Sequence, residues 1–325
     1  MKTISLSDLD IVGSGLYRPE CVLAAASGEI YTADWRGGVC VTAPDGSSHL
    51  VKALNTDIQL RPNGIALMAD GSFLMAHLGD DSGGLYKLSP QGHCQPVLVN
   101  LDGKALPPSN YPHLDHQGRI WLTISTRHSP RADACRGDVA DGFIVLIDTN
   151  GARIVADQLG YTNECCVHPD GNKLYVNETF GRRLSCFDIA SNGDLHNKQT
   201  ITEFGHGTFP DGLAFDIEGG VWITSIVSNR VIRVDPDGTQ RVLLEDVDAA
   251  HLDEVERIYQ RGEMGRAQLD TVVSKQLKNI SSLAFGGADR KTAYLGCLLG
   301  DQVYSFRCPV PGWAPAHWNY PLQGV

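Results

Sequence analysis

Asp211 in "FPDGLAFDIEGG", Asn163 in "YTNECCVHPDGN" and Glu20 in "RPECVLAAASGE" hold the same place in one recurring phrase, each followed eight residues later by a glycine. Asn63 and Asn110 stand in the same relation to Gly71 and Gly118. Ser281 in "NISSLAFGGADR" fills a sixth copy, with Asp289 where the glycine would be. The recurring polar letter is therefore always an oxygen donor, and it is never cysteine or histidine. Carboxylate, amide and hydroxyl oxygens suit a hard cation such as Ca²⁺, Mg²⁺ or Mn²⁺. Such an ion polarises a carbonyl and acidifies bound water, and a neighbouring carboxylate can accept the proton released. The same residue types also cap turns. Asn63 and Ser281 are accordingly expected beside the centre without binding the ion.

Side chains this far apart in sequence meet only if the chain brings each copy back to one axis. The polar letter recurs at intervals of 43, 47, 53, 48 and 70 residues. Each copy continues into further β-branched and aromatic runs, such as "EIYTAD", "KLYVNET" and "GVWITSI", separated by Gly, Asp and Asn turns. About four short strands per unit at this period predict an all-β chain, a six-bladed β-propeller. The polar letters fall at the start of the strand nearest the axis. The long last interval contains the one stretch with helical periodicity, about 246–279, read as a short helical insertion between blades five and six. The 53-residue interval holds an extra loop, "STRHSPRADACRGDVADG", in blade three. Both insertions are expected on one face, walling a binding mouth. Residues 1–325 read as a single propeller domain. The run "TISLSDLDIV" is expected to complete the last blade and close the ring.

Composition narrows the partners. A net charge of -11 repels a phosphate backbone, so no nucleic acid is expected. No apolar run approaches the ~18 residues of a membrane span, and the N-terminus lacks a signal-peptide core, so the expectation is a cytoplasmic protein with no membrane association. Nine cysteines without CxxC spacing point to buried reduced thiols, the Cys165–Cys166 pair included. No nucleophile elbow, Walker loop, dinucleotide fingerprint or HExxH sits in a suitable context.

The segments "PEC" around Glu20, "TNE" around Asn163, "PDGLAFD" around Asp211 and "ETFGRRLSCFDI" in blade four resemble the SMP-30/gluconolactonase/LRE-like family. The resemblance extends over nearly the whole chain. It implies a six-bladed propeller in which Glu20, Asn163 and Asp211 bind one divalent metal at the channel mouth, with Asp211 also the catalytic base. It further implies substrate binding by Asn110. Calcium is the first expectation for the ion, with magnesium, manganese or zinc as alternatives. The implied activity is metal-dependent hydrolysis of a small cyclic lactone, a sugar-acid lactone or related ester, by a monomer or small homo-oligomer. One departure concerns the substrate. The arginine that characterised sugar lactonases often carry two residues before the blade-three asparagine is Pro108 here, and Tyr111 follows Asn110. Arg127 and His128 in the blade-three insertion are the expected replacements. The alternative reading is a non-enzymatic, metal-binding propeller serving as a regulatory or protein-binding platform. A bond-forming propeller of the strictosidine synthase type shares the fold but normally lacks the metal trio.

Overall fold

The computed structural model describes residues 3–320. Six four-stranded antiparallel sheets follow one another around an axis, in the order expected of six propeller blades. Their innermost strands are Val22–Ala24, Pro62–Leu67, Ser109–Leu114, Thr162–Val167, Phe209–Phe215 and Ile280–Gly286. The last blade takes its outer strand from the N-terminus. Asp10–Val12 pairs with Val303–Arg307 in the register Asp10↔Ser305 and Val12↔Val303. The residues just before it, Leu6–Asp8, form a 3-10 turn instead of extending the strand.

The repeated phrase has a physical reason at both ends. All five glycines eight residues after the polar letter are left-handed, with φ from +76° to +96°, a conformation that costs a side chain but not glycine. At the other end, the inner strand is irregular where the polar letter sits. Register shifts fall between Pro62 and Ile65, Ser109 and Tyr111, Thr162 and Cys165, Pro210 and Leu213, and Ile280 and Ser282. In blade one Glu20 lies just before its strand begins. A bulge removes a residue from the ladder and re-aims its side chain. Asn63, Asn110, Asn163 and Asp211 are thereby released from strand pairing and turned toward the axis.

Neighbouring blades pack their inner strands very closely. A Cβ at Gly64 would stand 2.6 Å from the Tyr111 ring and 2.9 Å from the Asn110 carbonyl oxygen. Between blades lie the apolar cores, for example Trp121, Ile144, Cys165 and Val176 between blades three and four. The aspartates five residues after Asn110 and Asp211 anchor these layers. Asp115 accepts from Trp121 Nε1 at 2.9 Å and Asp216 from Trp222 Nε1 at 2.8 Å. Both indoles are fully buried, and pairing their N–H groups avoids the cost of an orphaned donor. The nine cysteines are all free thiols, eight of them buried. Among the described residues, no helix is long and apolar enough to cross a membrane.

The insertion between blades five and six contains the helices Ala249–Gln260 and Arg266–Leu269, with irregular chain around them. It is clamped to the ring. Arg182 donates to both oxygens of Glu256, at 2.9 and 2.5 Å, and its guanidinium lies 3.9 Å from the Tyr259 ring centroid and 4.4 Å from that of Phe209. Gly207 N–H and Gln260 Nε2 also donate to Glu256, at 2.8 and 2.7 Å. Burial pushes the Glu256 carboxyl up, but the bonds from Arg182, Gln260 and Gly207 outweigh it and hold the group down at about 2.

Candidate functional site

Glu20, Asn63, Asn110, Asn163 and Asp211 line one small cavity at the mouth of the axial channel. All five are buried, at 2–7% exposure. The cavity wall is completed from the two insertions, by Arg131, Ala132 and Cys135 of blade three and by Arg266 and Leu269 of the helical segment. Ser281, the sixth polar letter, turns aside and donates to the Glu20 carbonyl oxygen at 2.8 Å.

The hydrogen bonds orient the oxygens inward. Asn63 Nδ2 donates to Glu20 Oε1 at 2.6 Å, while Glu20 Oε2 has no partner. Asn163 Nδ2 donates to Thr179 Oγ1 at 3.0 Å, and Asn163 Oδ1 is left without a partner. Asn110 Nδ2 donates to Ser125 Oγ at 2.9 Å, and Asn110 Oδ1 is likewise unpartnered. Thr179 passes its own proton to the Pro210 carbonyl at 2.8 Å, and Asn177 Nδ2 holds the Asp211 and Gly212 carbonyls, each at 3.0 Å. Blade four thus grips the backbone on both sides of Asp211. Three buried acceptors with nothing to accept from are costly, by about 1–3 kcal/mol each. Their residues line one cavity, and a ligand there that supplied positive charge or donors would satisfy them.

Electrostatics points the same way. Burial raises the pKa of Glu20, against the pull of Arg18 and Arg131. Burial and the charges of Glu20 and Glu164 push Asp211 well above the usual carboxylate range. Two carboxylates held together in a low-dielectric site repel until a cation joins them. Among the described residues no three His, Cys, Asp or Glu side chains gather as a metal cluster. The donor set here is instead two carboxylates with amide oxygens, which fits a hard divalent ion, whereas a zinc site of the thiolate or imidazole kind would find only the single thiol of Cys135. Residues and cation therefore fit.

Glu164, next to Asn163, faces elsewhere. Burial raises its carboxyl to about 8. It accepts from Leu213 N–H at 2.9 Å, and it borders a separate, mainly apolar cavity under Trp313 and His317.

Arg127 and His128 are not in the wall of the axial cavity. Both are exposed. Arg127 is paired with Asp157 at 2.8 and 2.9 Å, and His128 Nδ1 lies 2.8 Å from Asp141. Asp141 also accepts from Thr126 Oγ1 at 2.6 Å, so these residues brace the insertion. The insertion reaches the cavity through Arg131. Arg18, Arg131, Arg266, Tyr161 and Thr179 are cavity residues that the sequence reading passed over. The available signal was position: Arg18 is two residues before Glu20, Tyr161 is two before Asn163, and Arg131 and Arg266 lie in the two insertions.

Residues 97–246 match the model of the SMP-30/Gluconolactonase/LRE-like region. The chain is 28% identical to a 6-deoxy-6-sulfogluconolactonase of Pseudomonas putida over 53% of its own length, and the alignment spans 56% of that relative's length, just over half. In fold it is similar to a gluconolactonase from Xanthomonas campestris, with a TM-score of 0.65, 18% identity and coverage of 92% of this chain and 88% of that one. A calcium-binding protein, regucalcin, from Agrobacterium tumefaciens strain C58 gives a TM-score of 0.64 at 15% identity, covering 97% of this chain and 99% of that one. The match to the SMP-30/Gluconolactonase/LRE-like region is confined to residues 97–246, under half of the chain, and the six-bladed propeller is what the chain shares with these solved structures.

Proposed function

We propose that this chain is a divalent-metal-dependent lactonase that opens a small cyclic ester, a sugar-acid lactone or a related ring, to the hydroxy acid. The observation that carries the proposal is the set of unpartnered oxygens on Glu20, Asn163 and Asn110 that share one cavity with Asp211. The lactonase names of the matched relatives support a cyclic ester as substrate, and the name of the regucalcin neighbour supports calcium as the first ion to test.

Glu20, Asn163 and Asp211 would hold the ion, with Asn63 orienting Glu20 and Thr179 orienting Asn163. A bound divalent cation would supply carbonyl polarisation and an acidified water. Asp211 would receive the proton of the attacking water. Asn110 Oδ1 accepts from a hydroxyl of the substrate and aligns the ring for attack. Water adds to the lactone carbon to give a tetrahedral intermediate, the ring C–O bond then breaks, the departing alkoxide takes the proton held by Asp211, and the new carboxylic acid loses its proton to solvent, leaving carboxylate and alcohol. Arg127 and His128, on the outer side of the insertion, would meet the substrate only on its way in. The reduced thiols suit a reducing compartment such as the cytoplasm.

The experiment is a panel of sugar and non-sugar lactones assayed with chelated protein refilled with calcium, magnesium, manganese or zinc. The expected result is hydrolysis that depends on a divalent ion and falls at least about 10²-fold in Asp211→Asn. Equal turnover by wild type and Asp211→Asn at saturating metal would refute the catalytic assignment.

A further inference from the structure

We infer that the substrate's ring carries an anionic substituent, carboxylate or sulfonate, bound by Arg131 and Arg18. The inference rests on the lactonase reading above and names its substrate class. Three guanidinium groups, Arg18, Arg131 and Arg266, line the same cavity as Glu20 and Asp211. Arg266 is paired with Asp270 at the rim. Among the described residues, neither Arg18 nor Arg131 forms an ion pair. They are not within 4.0 Å of Glu20 or Asp211, although both carboxylates lie in the same small space. Instead they are held by neutral groups. Arg18 Nη1 donates to the Leu298 carbonyl at 3.3 Å and its guanidinium lies 4.3 Å from the Trp35 ring centroid. Arg131 Nη2 donates to Ser125 Oγ at 3.2 Å and its guanidinium is 5.4 Å from the Tyr161 centroid.

These arrangements leave donors unused. Arg18 Nε is buried and has no partner. The backbone of Arg18 is left-handed, with φ +54°, a conformation that a non-glycine residue holds only where its surroundings require it. Arginine presents a planar fork that matches a carboxylate or sulfonate, and both side chains are half-buried against the cavity. The charge count agrees. The carboxylates of Glu20 and Asp211 are counter-charges for a divalent ion, and Asp270 serves Arg266, so Arg18 and Arg131 have none left. A neutral lactone would leave both uncompensated, whereas an anionic group on the ring together with the oxyanion of the tetrahedral intermediate balances both. Position also agrees. Ser125 Oγ receives bonds from both Asn110 and Arg131, so the proposed anion site adjoins the side chain assigned to the substrate's hydroxyls. The blade-three insertion contributes Arg131, which gives it a reason to lie over this mouth.

The test uses the full chain and matched rings. One is a neutral aldonolactone, one the same ring with its terminal hydroxymethyl oxidised to carboxylate, and one with that position sulfonated. The expected result is a kcat/KM for at least one anionic ring that exceeds the neutral ring by tenfold or more. The carboxylate and sulfonate arms distinguish the two sources. In Arg131→Gln the preference should fall toward one, mainly through KM, with partial recovery in Arg131→Lys. Arg18→Gln serves as the second variant. Binding of the opened diacid by titration calorimetry, weaker by tenfold in Arg131→Gln, gives a readout free of turnover. Equal kcat/KM on all rings, or an anionic preference that survives both variants, would overturn the inference. No hydrolysis of any ring, together with Arg131-dependent diacid binding, would overturn the lactonase reading and support the anion site.

Discussion

Glu256→Gln isolates the clamp that holds the helical insertion over the site. The substitution keeps the side chain's volume and removes its charge, leaving Arg182 buried against Phe209 and Tyr259 without a counter-ion. Both side chains are only 11% exposed, so solvent does little to screen the loss. Breaking a buried pair by removing one partner costs about 3–5 kcal/mol. A second route gives a similar size. The Glu256 carboxyl sits at about 2 instead of 4.5, which corresponds to about 3 kcal/mol of stability. The sign follows from the direction. A depressed carboxyl stabilises the fold above its unfolded value and loses that contribution as pH falls through its folded value. The gap between wild type and Glu256→Gln should therefore be fully open at neutral pH and fall to less than half at about pH 3. The assay is urea unfolding across pH, with amide exchange over 249–260 to detect local release of the insertion, expected about a hundredfold faster in the variant. In a double-mutant cycle with Arg182→Ala the two losses should fail to add by at least ~1 kcal/mol. Because Arg266 and Leu269 belong to the same insertion, KM should rise as well. A neutral-pH loss below about 1 kcal/mol, or a gap that does not change with pH, would refute the clamp.

Two further perturbations probe other levels of the account. Asn110→Ala should lower kcat/KM by about tenfold or more while metal content, read by elemental analysis, stays at the wild-type level. Gly64→Ala places a methyl group 2.6–2.9 Å from Tyr111 and the Asn110 carbonyl; it should cost about 1–3 kcal/mol in denaturant unfolding and weaken cation binding through the adjacent Asn63, whereas Gly46→Ala, with open space around its Cβ position, should not affect the cation.

Much of this arrangement was legible because it repeats. The glycine eight residues after each polar letter reports a left-handed turn, and the alternating apolar runs report strands, so the ring of Glu20, Asn63, Asn110, Asn163 and Asp211 could be read before its geometry was known. Ser281 and Asn63 were expected outside the inner set. Ser281 binds backbone and Asn63 serves Glu20. The bulges were not legible, because one extra residue in a ladder leaves no mark in composition. The insertions were harder still. Arg127 and His128 drew attention as replacements for the arginine absent at Pro108, but they pair with Asp157 and Asp141 and lie outside the cavity wall. Arg131 reaches the cavity because the chain turns back through the short helix Arg131–Ala134, a local path that no periodicity encodes. Arg18 and Arg266 join it from the two ends of the chain, and only closure of the ring brings them together.

The central claim is that the axial oxygens of Glu20, Asn163 and Asp211 form one cation site. Isothermal titration of calcium into chelated protein tests it most directly. One ion per chain is expected, with affinity reduced at least tenfold in Glu20→Gln and in Asp211→Asn and unchanged in His128→Ala. Absence of binding by calcium, magnesium and manganese alike, or binding that survives both carboxylate substitutions, would contradict it.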